Sequence, residues 1–177
     1  TVEEIEKLIA QYEGVKDIRL LHQVEPGADD DKGHGKMLTL GKGDAVRKGF
    51  AAAEGEVLMI LDADLTVPPE DLPKFYQALS ENHGRFINGT RLVYPMEEKA
   101  MRLLNIFANK LSSLLFSWLL GQRVKDTLCG TKALAKDDYM KIATERNFFG
   151  EFDPFGDFDL LFGAAKQNLK IAEVPIR

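Results

Sequence analysis

The segment GEVLMILDADLTVPPEDL, residues 55–72, carries the most informative pattern in the chain. Its residues 57–61 form an unbroken apolar run after a glycine, which is typical of a strand buried on both faces in a parallel sheet. The run ends at Asp62 and Asp64, with the small Ala63 between them. Because ligands of open α/β sheets bind at the carboxyl ends of the strands, the pattern predicts a binding site here.

The two aspartates suggest a metal site. Neighbouring carboxylates repel each other, and holding both near apolar surface is costly without a cation. A hard divalent ion such as Mg²⁺ or Mn²⁺, itself carrying phosphate oxygens, meets this need. The alternative is that one aspartate caps the next helix and the other is solvated. The Pro-Pro-Glu-Asp turn at residues 68–71, a rigid helix start with acids in its first turn, favours the metal site.

The composition excludes several classes of protein. The 177 residues suit one domain with a hydrophobic core, and 45% hydrophobic and 29% charged residues are ordinary for a globular protein. A net charge of -5 disfavours general nucleic-acid binding. The single cysteine, Cys129, excludes an internal disulfide framework and fits a reducing compartment. No apolar run approaches the roughly 18 residues of a membrane span, and no signal-peptide pattern is present.

Apolar periodicity and turn residues divide the chain into alternating elements. Helices are predicted at residues 2–12, 41–53, 73–80, 97–120, 137–143 and 157–166, and strands at residues 18–21, 57–61, 85–90, 131–135 and 169–176. A polar, glycine-rich loop is predicted at residues 22–40. This alternation predicts an α/β fold of three layers with a mostly parallel sheet.

Basic groups are predicted to lie at the same sheet edge as the aspartates. One helix opens with the loop residues Gly41, Lys42, Gly43 and Asp44. Exposed N–H groups, the helix dipole and an ammonium make such a loop an anion site, although a plain turn is the alternative. Arg91 follows the strand at residues 85–90, where its guanidinium could neutralise a diphosphate. A surface salt bridge is the alternative for this arginine.

The longest helical pattern, residues 97–120, is apolar over more than one narrow face. Such a helix packs in the core, pairs with another subunit or rests on a membrane surface. Core packing is the default, and the breadth of the apolar arc leaves surface for a lipid or a partner. We therefore expect this helix to expose an apolar strip.

Two later segments offer candidate acids and bases. Residues 125–132, KDTLCGTK, are rich in small and polar types, as in loops that position chemistry. Asp126 in this loop is a candidate general base, or simply hydrogen-bonds the turn. Cys129 has no histidine neighbour in sequence, which disfavours a nucleophilic thiol. Asp157 and Asp159 begin a helix, where a carboxylate is often only an N-cap.

Taken together, these segments resemble a known family. The segments are GKGDAVRKGF, LDADLTVPPEDL, GTRLVYP, MRLLNIFANKLSSLLFSWLLG, DTLCGTKAL and GDFDLLFGAAKQNLKIAEVPIR. They are similar to inverting glycosyltransferases of family two, and most similar to the branch that transfers sugars to dolichyl or polyprenyl phosphate. The resemblance covers nearly the whole chain from Gly41 onwards, with the segments in the family's order.

The resemblance implies a nucleotide-diphospho-sugar transferase fold of the GT-A type and a role for several residues. It implies that Asp64, with Asp62 beside it, holds Mg²⁺ or Mn²⁺, as in the DXD motif. The loop at residues 41–44 would lie beneath the nucleotide, and Arg91 would face the donor diphosphate. Asp126 and Asp157 are the implied candidates for the base. Gly156 stands where other branches carry a glutamate before the base, which weakens the assignment of Asp157.

The resemblance also implies the partners. The donor would be a nucleotide-diphospho-sugar and the acceptor a lipid phosphate, at the cytoplasmic face of a membrane. The helix at residues 97–120 would lie near the membrane or support a dimer. The family's usual opening strands and the basic segment after the last strand are missing, so we expect one catalytic domain, residues 1–177, truncated at both ends. A sugar-nucleotide pyrophosphorylase and a non-catalytic binding or dimerisation module are the alternatives.

Overall fold

The computed structural model describes residues 2–12, 19–21, 41–91, 111, 113–127, 129–146 and 156–176. Its helices are α1 (Val2–Gln11), α2 (Lys42–Ala52), α3 (Leu72–Ser80), α4 (Lys136–Thr144) and α5 (Asp157–Lys166). Its strands are β1 (Val57–Ile60), β2 (Phe86–Thr90), β3 (Lys132–Ala135) and β4 (Ile171–Pro175). A 3₁₀ turn, Pro69–Asp71, leads into α3, and residues 113–120 are also helical.

The four strands form one mixed sheet in the order β1-β3-β2-β4. β3 is antiparallel to both of its neighbours, whereas β2 and β4 are parallel. β1, β2 and β4 therefore run in one direction and β3 runs against them. The predicted α/β class is confirmed. The sheet is less parallel than expected, because apolar periodicity shows which residues are buried and carries no information on strand direction.

Helices cover both faces of the sheet, as the three-layer prediction requires. One apolar cluster joins Leu58, Phe86 and Leu134 of the sheet to side chains of α2, α4 and α5. The opposite cluster joins Ile87, Ala133 and Val174 to Phe75 and Ala78 of α3. Successive strand residues alternate between the two clusters, as the pleat of a strand requires.

Most predicted elements are found within two residues of their expected bounds. The exception is the strand expected at residues 18–21, because residues 19–21 have no regular structure. The prediction that residues 57–61 are buried on both faces in a parallel sheet is wrong, because β1 lies at the edge of the described sheet, pairs antiparallel with β3 and alternates between partly buried and buried residues. The loop expected at residues 22–40 lies outside the described residues, as does most of the helix expected at residues 97–120. The described end of that helix stops at Gly121, as predicted. Gly121 adopts a left-handed φ of 63°, which glycine accepts without strain.

No helix within the described ranges combines the length and the hydropathy needed to cross a bilayer.

We expect Phe75→Ala to destabilise the fold strongly. Phe75 is fully buried between α3 and the sheet, and removing a buried phenyl ring costs about 3–5 kcal/mol of the free energy of unfolding. Its neighbour Tyr76 is 56% exposed, so Tyr76→Ala is a matched control that should cost about 0.5 kcal/mol or less. Urea denaturation followed by circular dichroism measures both values. Equal losses would contradict the packing described for α3.

Candidate active site

The two aspartates that follow β1 share one tight turn. The backbone N–H of Leu65 donates to the carbonyl oxygen of Asp62 at 3.1 Å. Leu65 adopts a left-handed φ of 53°, which is an uncommon conformation for a leucine and costs about 1–2 kcal/mol. The turn therefore holds Asp62 and Asp64 at the carboxyl end of β1, as the sequence predicts.

Lys42 neutralises one of these carboxylates. Its ammonium lies 2.8 Å from Oδ1 and 2.9 Å from Oδ2 of Asp62. Ion pairs at this degree of exposure contribute about 1 kcal/mol or less, so the contact orients Lys42 more than it stabilises the fold. Asp62 therefore does not depend on a metal ion for charge compensation, because the ammonium of Lys42 already offsets its charge.

Asp64 is held in its ionised form. Its Oδ1 accepts hydrogen bonds from the backbone N–H and the hydroxyl of Thr66, both at 3.1 Å. These two bonds hold the pKa of Asp64 below its ordinary value, and the positive charges of Lys42 and Arg91 add to the effect. The carboxylate is fully exposed. A solvated anion thus lies within electrostatic range of two cations.

Arg91 lies at the carboxyl end of β2 and contacts the second candidate loop. Its backbone N–H and its Nε donate to Oδ2 of Asp126 at 3.1 Å and 3.3 Å. Asp126 is buried, whereas the side chain of Arg91 is 45% exposed. The sequence predicted the arginine and the aspartate as separate functional groups. The structure joins them in one ion pair. Asp126 holds Nε of the Arg91 guanidinium, and the side chain of Arg91 remains partly exposed to solvent.

The loop before β3 passes directly over the Lys42–Asp62 pair. A Cβ on Gly130 would clash with Oδ2 of Asp62 and Nζ of Lys42. A larger residue here would therefore displace these two side chains from their present positions. The loop and the turn after β1 are thereby brought into contact, although more than sixty residues separate them in the chain.

The helix start of α5 reaches the same edge. Gly156 precedes α5 with a left-handed φ of 73°, and a Cβ there would lie 2.7 Å from the Cα of Gly43. The N-terminus of α5 therefore meets the N-terminus of α2. This contact and the left-handed φ together give a physical reason for glycine at position 156. Asp157 is the first residue of α5, and its side chain lies outside the described part of the structure.

A groove of about 520 Å³ runs between α2 and β1 and ends at Asp62 and Ala63. Lys42, Asp62 and Ala63 line its polar end, and apolar side chains such as Val46 and Phe50 line the rest. Lys42 of the predicted anion loop and Asp62 thus border one cavity, whereas Asp64 is not among the residues that line it. Asp44 does not line this groove. Its carboxylate lies 3.9 Å from both Arg47 and Lys48 of its own helix.

The chemistry of the aspartate pair fits a divalent cation only in part. Carboxylate oxygens suit Mg²⁺ and Mn²⁺, and Asp64 is ionised and exposed. Within the described ranges, however, no three His, Cys, Asp or Glu side chains are grouped closely enough to hold a metal ion. A cation here would therefore need ligand oxygens from water or from a bound phosphate, as Mg²⁺ commonly does.

Three supporting residues were not predicted as functional. Thr66 holds Asp64, Asn88 donates to the backbone of Asp126, and Glu173 accepts from the same loop. The sequence could have indicated a role for Asn88, because an amide in the middle of an apolar strand needs a buried hydrogen-bond partner. Glu173 gave no such indication, since a glutamate in an edge strand is ordinarily solvated.

Comparison with known proteins identifies the family. The pattern of glycosyl transferase family 2 matches residues 36–142, which include α2, the aspartate turn, Arg91 and the loop before β3. The chain belongs to glycosyl transferase family 2. The GT-A fold that the sequence resemblance implied is thereby confirmed, and the mixed α/β sheet described above is its core.

Several curated proteins are similar to the chain. Glycosyltransferase AglJ of Haloferax volcanii is 27% identical over 76% of this chain and 43% of its own length. A dolichyl-phosphate hexose transferase of the same organism is 31% identical over 77% of this chain and 56% of its own length. A UDP-N-acetylglucosamine--dolichyl-phosphate N-acetylglucosaminyltransferase of Methanococcus voltae is 28% identical over 69% of this chain and 47% of its own length. The chain spans about half the length of these relatives, and the predicted branch of the family is confirmed.

We expect the thiol of Cys129 to be unreactive in the folded protein. Burial raises the pKa of this thiol, so less reactive thiolate is present at any given pH. Labelling with Ellman's reagent at pH 8 should be at least tenfold slower in native protein than in urea. The chain contains one cysteine, so complete labelling in urea corresponds to one thiol per chain. Equally fast labelling in both states would show that the loop before β3 is open.

Proposed function

We propose that this chain is the donor-binding core of a metal-dependent inverting glycosyltransferase that moves a sugar from a nucleotide-diphospho-sugar to a polyprenyl phosphate. The observation that carries the proposal is the position of Asp64 at the carboxyl edge, where the charges of Lys42 and Arg91 both act on it. A diphosphate is the ligand that needs two cations next to a carboxylate able to bind a metal. The names of the relatives support the sugar and the lipid phosphate.

The leaving group is the nucleoside diphosphate, which gains negative charge as the bond to the sugar breaks. The exposed part of Arg91 and the ammonium of Lys42 are fixed by Asp126 and Asp62, so little reorganisation is needed when that charge develops. Asp62 and Asp64 are the residues that would hold the divalent ion. That ion would supply further charge neutralisation on the diphosphate.

The acceptor side needs little base. A phosphate acceptor is already ionised at neutral pH, so positioning contributes more than proton removal. Asp126 is engaged by Arg91, which suits an orienting role better than that of a general base. Asp157 remains the candidate base at the start of α5. A single in-line displacement would invert the configuration at the anomeric carbon.

The donor site is tested with Asp64→Ala. Because Asp64 is exposed and contacts Thr66 of its own turn, the variant should fold normally and lose metal-dependent nucleotide binding. Thermal shift and calorimetry with UDP-glucose and GDP-mannose, each with and without Mn²⁺, measure the effect. We expect affinity for the preferred donor to fall at least tenfold, or about 1.4 kcal/mol.

The matched control is Asp137→Ala, which removes an exposed carboxylate from the first turn of α4. This variant should bind donor and Mn²⁺ as the wild-type protein does. Equal binding by wild type and Asp64→Ala would refute the metal assignment. No response of the wild-type protein to either nucleotide would favour a non-catalytic module instead.

The exposed strip on the helical residues 111 and 113–120 supports membrane contact. Its members recur every three or four residues and are 50–77% exposed: Leu111, Leu114, Leu115, Trp118 and Leu119. The opposite side of this helix is fixed, because Phe116 stacks on Phe158 at 5.2 Å and Ser117 hydrogen-bonds Val124. The prediction of an exposed apolar strip is confirmed for these residues.

We propose that this strip rests on the surface of a lipid bilayer, at the cytoplasmic face of the membrane where the acceptor would be presented. Each large apolar side chain contributes about 1.5–3 kcal/mol when fully buried, so five of them support reversible binding. Arg123 and Lys125 follow the helix and are exposed. Their charges suit anionic lipid headgroups beside the buried strip.

Trp118 is the only tryptophan in the chain and therefore reports on the strip without interference. Vesicles of phosphatidylcholine with about 30% phosphatidylglycerol present an anionic surface. Adding them should shift the fluorescence emission of Trp118 to shorter wavelength. Leu115→Lys should weaken this shift, whereas Met140→Lys on exposed α4 surface should leave it unchanged. A shift that depends on protein concentration without lipid would instead indicate a second copy of the chain.

A further inference from the structure

Three polar side chains form a row across the sheet beneath the loop before β3. In the strand register, Asn88 of β2 pairs with Lys132 of β3 on one side and with Glu173 of β4 on the other. Residues paired in this way project from the same face of a sheet. Asn88 and Lys132 are fully buried, and Phe86 and Leu134, their neighbours on the same face of β2 and β3, are apolar. Placing an ammonium, an amide and a carboxylate there is costly unless each has a defined partner.

Each member of the row binds the backbone of the same loop. Glu173 Oε1 accepts from the N–H groups of Lys125 and Asp126 at 2.6 Å and 3.2 Å. Asn88 Nδ2 donates to the carbonyl oxygen of Asp126 at 2.6 Å. Lys132 Nζ donates to the carbonyl oxygen of Cys129 at 2.5 Å.

The row therefore clamps Asp126 on both sides of its α-carbon. Its N–H is held by Glu173 and its carbonyl by Asn88, so the backbone cannot rotate without breaking one of the two bonds. The side chain of Asp126 thereby points towards Arg91. Its Oδ2 accepts hydrogen bonds from the backbone N–H and from Nε of Arg91. Two hydrogen bonds, one between Glu173 and the N–H of Asp126 and one between the carboxylate of Asp126 and Nε of Arg91, thus connect the edge strand β4 to the guanidinium at the carboxyl edge.

We propose that Glu173 is a positioning residue, which sets the loop so that Asp126 holds Arg91 in the orientation needed by the donor diphosphate. Glu173 acts through two backbone N–H groups and touches no substrate. The expected effect on kcat rests on the proposed function, because the orientation of Arg91 affects catalysis only if the donor is a diphosphate. The hydrogen-bonded chain from Glu173 to Arg91 does not depend on that function.

The first test observes the chain directly, without activity. In the wild-type protein the Nε–H signal of Arg91 in NMR spectra should be protected from exchange with solvent. Glu173→Ala leaves two loop N–H groups without their acceptor and should reduce this protection about as far as Asp126→Asn does. Glu173→Gln retains a side-chain oxygen that can accept, so it should keep most of the protection. Glu81→Ala, at the exposed end of α3, is the matched control and should change nothing.

The second test is kinetic. Glu173→Ala should lower kcat for sugar transfer at least tenfold and leave the KM of the donor within about twofold, because Arg91 acts on charge that develops in the transition state. Glu173→Gln should restore most of kcat. In the Asp126→Asn background, Glu173→Ala should have almost no further effect, because the two residues act through one chain.

The outcomes separate the two proposals. Unchanged protection of Arg91 in Glu173→Ala overturns the positioning role, and so do independent, multiplicative effects of the two substitutions on kcat. Loss of protection together with a wild-type protein that transfers no sugar keeps the positioning role and overturns the proposed function.

Discussion

The direction of β3 is the constraint on which the arrangement of the site depends. β3 lies between β1 and β2 and runs against both, so its beginning lies where its neighbours end. The loop before it therefore meets the turn after β1 and the residue after β2. A parallel strand in that position would place this loop at the opposite edge of the sheet, far from the aspartates. Gly130 then permits the close approach that the geometry imposes.

Charge balance at this edge is achieved by pairing, with each cation anchored to a carboxylate. Lys42 is held by Asp62, and Arg91 is held by Asp126. Asp64 differs, since its partner is the neutral Thr66 and its charge is offset only at longer range. Among the described residues, the edge thus carries the two oriented cations Lys42 and Arg91 and the exposed anion Asp64. Such a preorganised set of charges suits a ligand that brings several negative oxygens of its own.

The predicted and the unpredicted residues differ in the range of their interactions. Asp62, Asp64 and Arg91 were found because each lies within a few residues of the end of a predicted strand, which is a local pattern. Thr66 also acts locally, two residues after Asp64, and an Asx-type turn was a recognisable signal. Glu173 could not be found in this way. Its partners, Lys125 and Asp126, are more than forty residues distant in the chain, and no periodicity relates them.

By itself, the sequence determined the alternation of helices and strands, the presence of a strand before Asp62, the carboxyl-edge aspartates and the apolar strip that ends at Gly121. These depend on local chemistry: burial periodicity, turn residues and the conformational freedom of glycine. Only the tertiary structure decided that β3 is antiparallel, that Lys42 neutralises Asp62 and that Asp126 anchors Arg91. Each of these joins residues far apart in the chain, and such pairing is selected by the packing of the whole sheet.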